Sequence, residues 1–270
     1  MRGAPGLGST PAGSLALTLA LALTAVLGSA ACGDDGDAGA SGDGDKPRLV
    51  VSAASSMTGA LTACARRFER ATVRLSFAGS DELAAQIRQG LRPDVYAAAN
   101  TTLPRELNDE GLLSRPVEFA TNDLVLAVPR GSDIRSVEDL SQNGVNLAIG
   151  SESVPIGSYT REVLARLPKA RSEAILANVR SNEPDVKGIV GKLVQGAADA
   201  GFAYITDVNA TGGELEAIRL PANLQPSVTY AAGVVKGATR PDEAREFVEG
   251  LLKGACARVL ERVGFGRPPQ

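Results

Sequence analysis

Apolar residues along this chain form one continuous block near the N-terminus, and beyond it short groups that switch between a period of two and a period near 3.6. The block runs from Leu15 to Leu27, consists of Leu, Ala, Thr and Val, and follows the positive charge of Arg2. It is too short to span a bilayer as a retained anchor and predicts an export signal over residues 1–31. After it, Gly33 to Asp45 contains only Gly, Asp, Ala and Ser, which has nothing to bury and predicts a flexible acidic tether. From there the alternation begins. Arg48 to Ser52 predicts a strand, and Thr58 to Arg70 a helix with Leu61, Ala65 and Phe68 on one face. Val73 to Phe77 alternates as a strand. Asp81 to Gln89 carries Leu83 and Ile87 four apart, with Gly90 to end that helix. Asp94 to Ala98 predicts another strand, followed by a helix opened by Pro104.

The second half repeats the pattern. Leu124 to Val128, Asn146 to Ile149, Phe202 to Ile205 and Val228 to Val235 predict strands. Tyr159 to Leu167 predicts a helix, as does Asp185 to Gln195, where Val186, Ile189 and Leu193 share a face. Pro241 opens a single long helix carrying Phe247, Leu251, Ala255 and Val259. Strand alternating with helix places the chain in the α/β class, with mixed, mainly parallel sheets flanked by helices. No internal repeat and no long linker divides it. A chain that leaves a first lobe near Leu124 to Arg130 and returns near Gln225 to Val235 gives residues 47–126 and 229–270 as lobe 1 and 127–228 as lobe 2. Two strands then form the hinge, and the cleft between the lobes is the expected ligand site.

Composition narrows the function. The whole chain carries a formal charge of −3. Setting aside Arg2 and the tether residues Asp34, Asp35, Asp37, Asp43 and Asp45 leaves 27 basic and 26 acidic side chains, a net +1 from Lys46 onward. A nearly neutral domain is not a nucleic-acid or membrane-surface binder driven by bulk charge. The chain has no histidine, which removes the commonest general base and the commonest metal ligand. Three cysteines are present. Cys32 directly follows Ser29-Ala30-Ala31, an arrangement similar to a bacterial lipobox, although Ser29 stands where that motif has Leu. The same small residues suit ordinary signal cleavage. Cys64 and Cys256 fall in helix-like segments, and two readings stay open: a disulfide in an exported protein, or two small buried residues. In the proposed fold the first and last helices can share a lobe.

Three strand-to-helix junctions share one character. Ser52-Ala53-Ala54-Ser55-Ser56-Met57-Thr58, Phe77-Ala78-Gly79-Ser80-Asp81-Glu82-Leu83 and Val154-Pro155-Ile156-Gly157-Ser158-Tyr159 place small and hydroxyl residues where a helix begins. Free backbone N–H groups at that end, with the positive pole of the helix, favour an anion. The plainer role of Ser56, Ser80 and Ser158 is capping.

In order and spacing these junctions resemble those of the molybdate-binding proteins of ABC importers, over about Leu49 to Phe265. The residues that carry the resemblance are Ser56-Met57-Thr58; Phe77-Ala78-Gly79-Ser80 with Leu83-Ala84-Ala85-Gln86-Ile87; Pro93 to Ala99; Val154 to Tyr159; Asp185-Val186; and Gly201 to Asp207. The resemblance implies a type II two-lobe periplasmic-binding-protein fold and a site made by Ser56, Ser80, Ile156, Val186 and Tyr204. Ser56 and Ser80 would give hydroxyl and backbone donors, Ile156 and Val186 backbone N–H only, and Tyr204 its hydroxyl. Ile156 is bulkier than the small residue expected there, and Asp81 sets a negative charge beside the second junction. The resemblance also implies delivery of molybdate or tungstate to an importer permease and its ATPase. The metal arrives only inside the oxyanion, with no resident cofactor, no catalytic residue and no nucleic-acid partner. The binding protein would be a monomer outside the cytoplasm, lipid-anchored through Cys32 or periplasmic if unlipidated.

The physical chemistry agrees. A fully ionised oxyanion only accepts hydrogen bonds, so N–H and O–H groups are selected and carboxylates excluded. Each such bond contributes roughly 1.5 to 3 kcal/mol, and six or seven would total on the order of 10 to 20 kcal/mol before desolvation and ordering costs. No Lys or Arg lies in the three loops. Two alternatives remain. One is a binding protein for sulfate, phosphate or a small organic anion. The other, more remote, is a serine-dependent enzyme, which would lack both a G-x-S-x-G elbow and a histidine base.

Overall fold

The computed structural model of the protein describes residues 46–268. The export signal, Cys32 and the tether fall outside them. The chain starts with a strand buried along most of its length, β1 (Arg48–Ala54), then a 3-10 turn (Ser55–Met57) and α1 (Thr58–Ala65). β2 (Thr72–Ala78), α2 (Ser80–Arg88), β3 (Val95–Ala98) and α3 (Thr102–Asp109) continue the alternation. β4 (Val117–Asn122) closes this half, and one residue, Asp123, separates it from β5 (Leu124–Pro129). The second half contains β6 (Leu147–Gly150), α4 (Pro155–Ala165), α5 (Lys169–Ala177), β7 (Val179–Glu183), α6 (Val186–Val194), β8 (Ala200–Tyr204), α7 (Ile205–Asn209) and β9 (Leu215–Arg219). The chain then returns through β10 (Val228–Val234) to α8 (Pro241–Leu252) and α9 (Gly254–Val263).

Two five-stranded sheets result, ordered β2-β1-β3-β10-β4 and β7-β6-β8-β5-β9. Within each, only one strand runs against the rest: β10 pairs antiparallel with β3 and β4, and β5 with β8 and β9. These reversed strands are the two that enter from the other sheet, so each sheet is parallel apart from its hinge strand. The division expected at residue 126 falls inside β5, all of which belongs to the second sheet. β3, β6 and β8 are buried at every position, which is why they read as unbroken apolar runs: helices cover both faces.

Several elements departed from expectation. β4, β7 and β9, which the apolar pattern did not mark, are edge strands. An edge needs less apolar surface, and Val-Arg-Ser-Asn-Glu in β7 alternates only between half-buried and exposed. α3 begins at Thr102, two residues before Pro104. Ile205 starts α7 instead of ending a strand, leaving Tyr204 as the last residue of β8. The single C-terminal helix is two, because Lys253 adopts an extended backbone (φ −146°, ψ 160°) between α8 and α9. That break lets α9 turn back onto α1, where Cys64 and Cys256 are joined as a disulfide with Cα atoms 5.0 Å apart. The chain end then exchanges two backbone bonds between Gly266 and Thr121 of β4, at 2.9 and 3.0 Å.

The disulfide closes a loop across a sequence separation of 192 residues, and in the chain-entropy account such a constraint on the unfolded state contributes a few kcal/mol. Replacing Cys64 and Cys256 together by Ala is expected to lower unfolding free energy by about 2 to 5 kcal/mol in a urea titration. An unchanged midpoint would show that the bond is mechanically idle.

Candidate functional site

Three of the four parallel strands of each sheet end on the same cleft. Ala54 ends β1 and is followed by Ser55 and Ser56, Ala78 ends β2 and is followed by Gly79 and Ser80, and Ala99 follows β3. From the facing sheet come Val154, Pro155 and Ile156 after β6, Asp185 and Val186 after β7, and Tyr204 at the end of β8. These residues line a single cavity of ≈ 20 Å³, room for a small compact guest and too little for a sugar. Ser56, Ser80, Ile156, Val186 and Tyr204 are thus brought together, from six strand ends at the position where open α/β sheets collect ligands. Ser158 is exposed and Asp81 lies outside the lining.

The hydroxyls are not used for capping. The residues at the N-cap positions are Ala54, Gly79 and Val154, none with a side-chain cap bond. The first N–H groups of these turns therefore keep no intrahelical acceptor. Pro155 occupies the first helical position of α4 and has no N–H, so the leading free donor there is that of Ile156. α6 is capped differently: the carboxylate of Asp185 accepts from the N–H of Gly188 at 3.0 Å, which occupies the third helical position and leaves the N–H of Val186 at the first.

Each polar side chain has a defined partner or conspicuously none. Ser80 Oγ accepts from the N–H of Ala99 at 3.1 Å, and its carbonyl accepts from the Tyr96 hydroxyl at 2.7 Å. Its own O–H is then free to donate. Ser56 Oγ lies 3.0 Å from the Tyr230 hydroxyl. The hydroxyl of Tyr204, a residue 1 % exposed, has no hydrogen-bond partner among the described residues. A buried orphan of this kind is costly and marks a group meant for another partner. Burial first, and then the proximity of Tyr230, Tyr159 and Asp207, holds this phenol well above its usual range, so it stays an O–H donor. No Lys or Arg lines the cavity.

Behind the site, Lys187 of α6 donates to Asp207 of α7 at 2.7 Å, tying the helix that presents Val186 to the one that follows Tyr204. The Asp207 side chain is 0 % exposed while that of Lys187 is 39 % exposed. Burial pushes the Asp207 carboxyl up to about 6, and Lys187 offsets only part of this. Asp207, Asn122 and Tyr230 all escaped the sequence reading as contributors to the site. Asp207 lay within the matched Gly201 to Asp207 segment and offered the only signal.

Known proteins resemble this chain in sequence and fold. Residues 49–266 match the family described as bacterial extracellular solute-binding protein. Over 252 residues, covering 90 % of this chain and 94 % of the relative, it is 34 % identical to the molybdate-binding protein ModA of Mycobacterium tuberculosis. Its structure is similar to the substrate-binding domain of a putative molybdenum ABC transporter from Clostridium difficile (TM-score 0.63, 26 % identity, 82 % of this chain and 99 % of that one). The fold also matches the periplasmic molybdate-binding protein of Azotobacter vinelandii (TM-score 0.74, 20 % identity, 82 % and 100 % coverage).

The raised Asp207 pKa predicts a pH dependence. Between the ordinary value of 3.8 and about 6 the folded protein holds a proton that the unfolded chain has released. This contribution to stability is full below that window and is lost as pH rises through it. Asp207→Asn should flatten the fall in melting temperature across the window, and an identical slope in variant and parent would refute the assignment.

Proposed function

Because the chain belongs to the bacterial extracellular solute-binding protein family, we propose that it captures a tetrahedral dianion, molybdate or tungstate, between its two sheets and delivers it to an ABC importer. The observation that carries this reading is the convergence of Ser56, Ser80, Ile156, Val186 and Tyr204 on one small cavity that no cationic side chain lines. In this reading Ser56, Ser80 and Tyr204 donate O–H, and Ile156 and Val186 donate backbone N–H. The dianion is the substrate, carried whole, and the protein holds no resident cofactor. A ring of neutral donors suits a guest without protons, since a protonated anion would also require an acceptor. The molybdate-binding relatives and the molybdenum-transporter domain support the choice of anion.

The same reading assigns the rest of the chain. Cys32 carries the lipid that holds a monomeric domain at the outer face of the membrane, with residues 33–45 as its tether. Among the described residues no helix is long and apolar enough to cross a membrane. The partners are a permease and its ATPase. In this reading the protein binds and releases its anion unchanged, as the solute-binding family it belongs to implies.

The loops after β2 and β7 approach closely at Gly79. A Cβ added there would stand 2.5 Å from the Pro184 carbonyl oxygen of the facing sheet, although the backbone (φ −58°) would tolerate one. Gly79→Ala should therefore weaken anion binding about tenfold or more by calorimetry. Unaltered affinity would show that the sheets need not approach so closely.

Molybdate added to the domain from Lys46 is expected to raise its melting temperature, and sulfate at equal concentration to have no such effect. Equal shifts would overturn the choice of anion. Tyr204→Phe and Ser80→Ala should each reduce affinity by roughly tenfold or more, the loss of one hydrogen bond to a charged group; full affinity in both would remove these residues from the site.

A further inference from the structure

Ser56 faces the cavity on one side and the Tyr230 hydroxyl, 3.0 Å away, on the other. A pair of hydroxyls can share a proton in either direction, and the direction matters here. If Ser56 donates to Tyr230, it turns lone pairs toward the cavity and repels an anion.

The surroundings favour one direction. Tyr230 is fully buried and outside the cavity lining, its ring edge-on to Phe119, Tyr204 and Phe265. Its oxygen lies 3.4 Å from Nδ2 of Asn122. That carboxamide is itself oriented, because Oδ1 accepts from the N–H of Asp123 at 3.0 Å and Nδ2 donates to Thr206 Oγ1 at 2.9 Å. An amide nitrogen only donates. Tyr230 therefore accepts from Asn122, and its single proton faces Ser56. Ser56 accepts in turn and keeps its own proton for the cavity.

We infer that Asn122 and Tyr230 form a directional hydrogen-bond relay that fixes Ser56 as a donor to the bound anion. Asn122 ends β4, one residue before the chain crosses between the sheets, and Thr206 belongs to α7 beside the second sheet. The polarity of the site is thus set from the hinge. Both residues are positioning residues that touch no ligand. The inference rests on the reading above that Ser56 donates to an oxyanion.

Two double-mutant cycles with molybdate, read by calorimetry, test it. Asn122→Asp replaces the donor by an acceptor that takes the Tyr230 proton and reverses the relay, but it also adds a negative charge. In the Tyr230→Phe background the charge persists and the relay is gone. The expected losses are about 30-fold in the parent and at most about 5-fold in the Tyr230→Phe background. Equal losses in both overturn the relay.

Should Asn122→Asp fail to fold, the second cycle decides. Tyr230→Phe keeps the ring packing and should weaken binding about fivefold or more when Ser56 is present, yet change affinity less than about twofold when combined with Ser56→Ala. Equal effects in the two backgrounds overturn the proposal. A parent protein that binds none of molybdate, tungstate or sulfate sinks the functional reading and the relay with it, whereas a parent that binds while both cycles are additive sinks the relay alone.

Discussion

A doubly negative guest buried without a counter-cation must have its charge answered by dipoles already in place. Everything about this fold follows from collecting such dipoles at one point. A helix start supplies N–H groups with no internal acceptor, and a parallel strand followed by a helix delivers that start to one edge of a sheet. Two sheets with the same strand order, each contributing the ends of its parallel strands, face each other across a cavity of ≈ 20 Å³. Neutral donors held by strand ends need no reorganisation on binding. A Lys or Arg would bring a flexible charge with its own hydration, and would serve a wider range of anions.

The reversed strands β5 and β10 have a second consequence. They carry the chain between sheets, so Tyr230 within β10 and Asn122, two residues before β5, are buried where the two halves meet. The hydrogen bonds that fix the Ser56 proton pass through this region and not through the loop that bears Ser56. The hinge therefore sits within the polar network of the site. The ion pair between half-exposed Lys187 and buried Asp207 performs a similar task on the other side, holding α6 to α7 behind Val186 and Tyr204.

Much of the fold was legible in the residues because the signals are local. Central strands such as Leu124 to Val128 announce themselves by continuous apolar content, and α6 by Val186, Ile189 and Leu193 on one face. The edge strands gave no such signal: β7 and β9 have exposed positions along them, and β4 mixes Glu118, Thr121 and Asn122 with its apolar residues. The break at Lys253 was hidden because Phe247, Leu251, Ala255 and Val259 keep helical spacing on both sides of it.

Short motifs at strand-to-helix junctions were enough to single out Ser56, Ser80, Ile156, Val186 and Tyr204 as residues that line one cavity, since each occupies its place through the backbone geometry of a few neighbouring residues. The sequence alone determined the fold class, the neutral character of the domain and the absence of histidine chemistry. Only the tertiary structure decided that Cys64 meets Cys256, that Gly79 approaches Pro184, that Tyr204 has no partner among the described residues, and that Asn122 and Tyr230 stand behind Ser56. These pairings join residues as many as 192 positions apart. Periodicity records which face of an element is buried, and it carries no record of what that face meets.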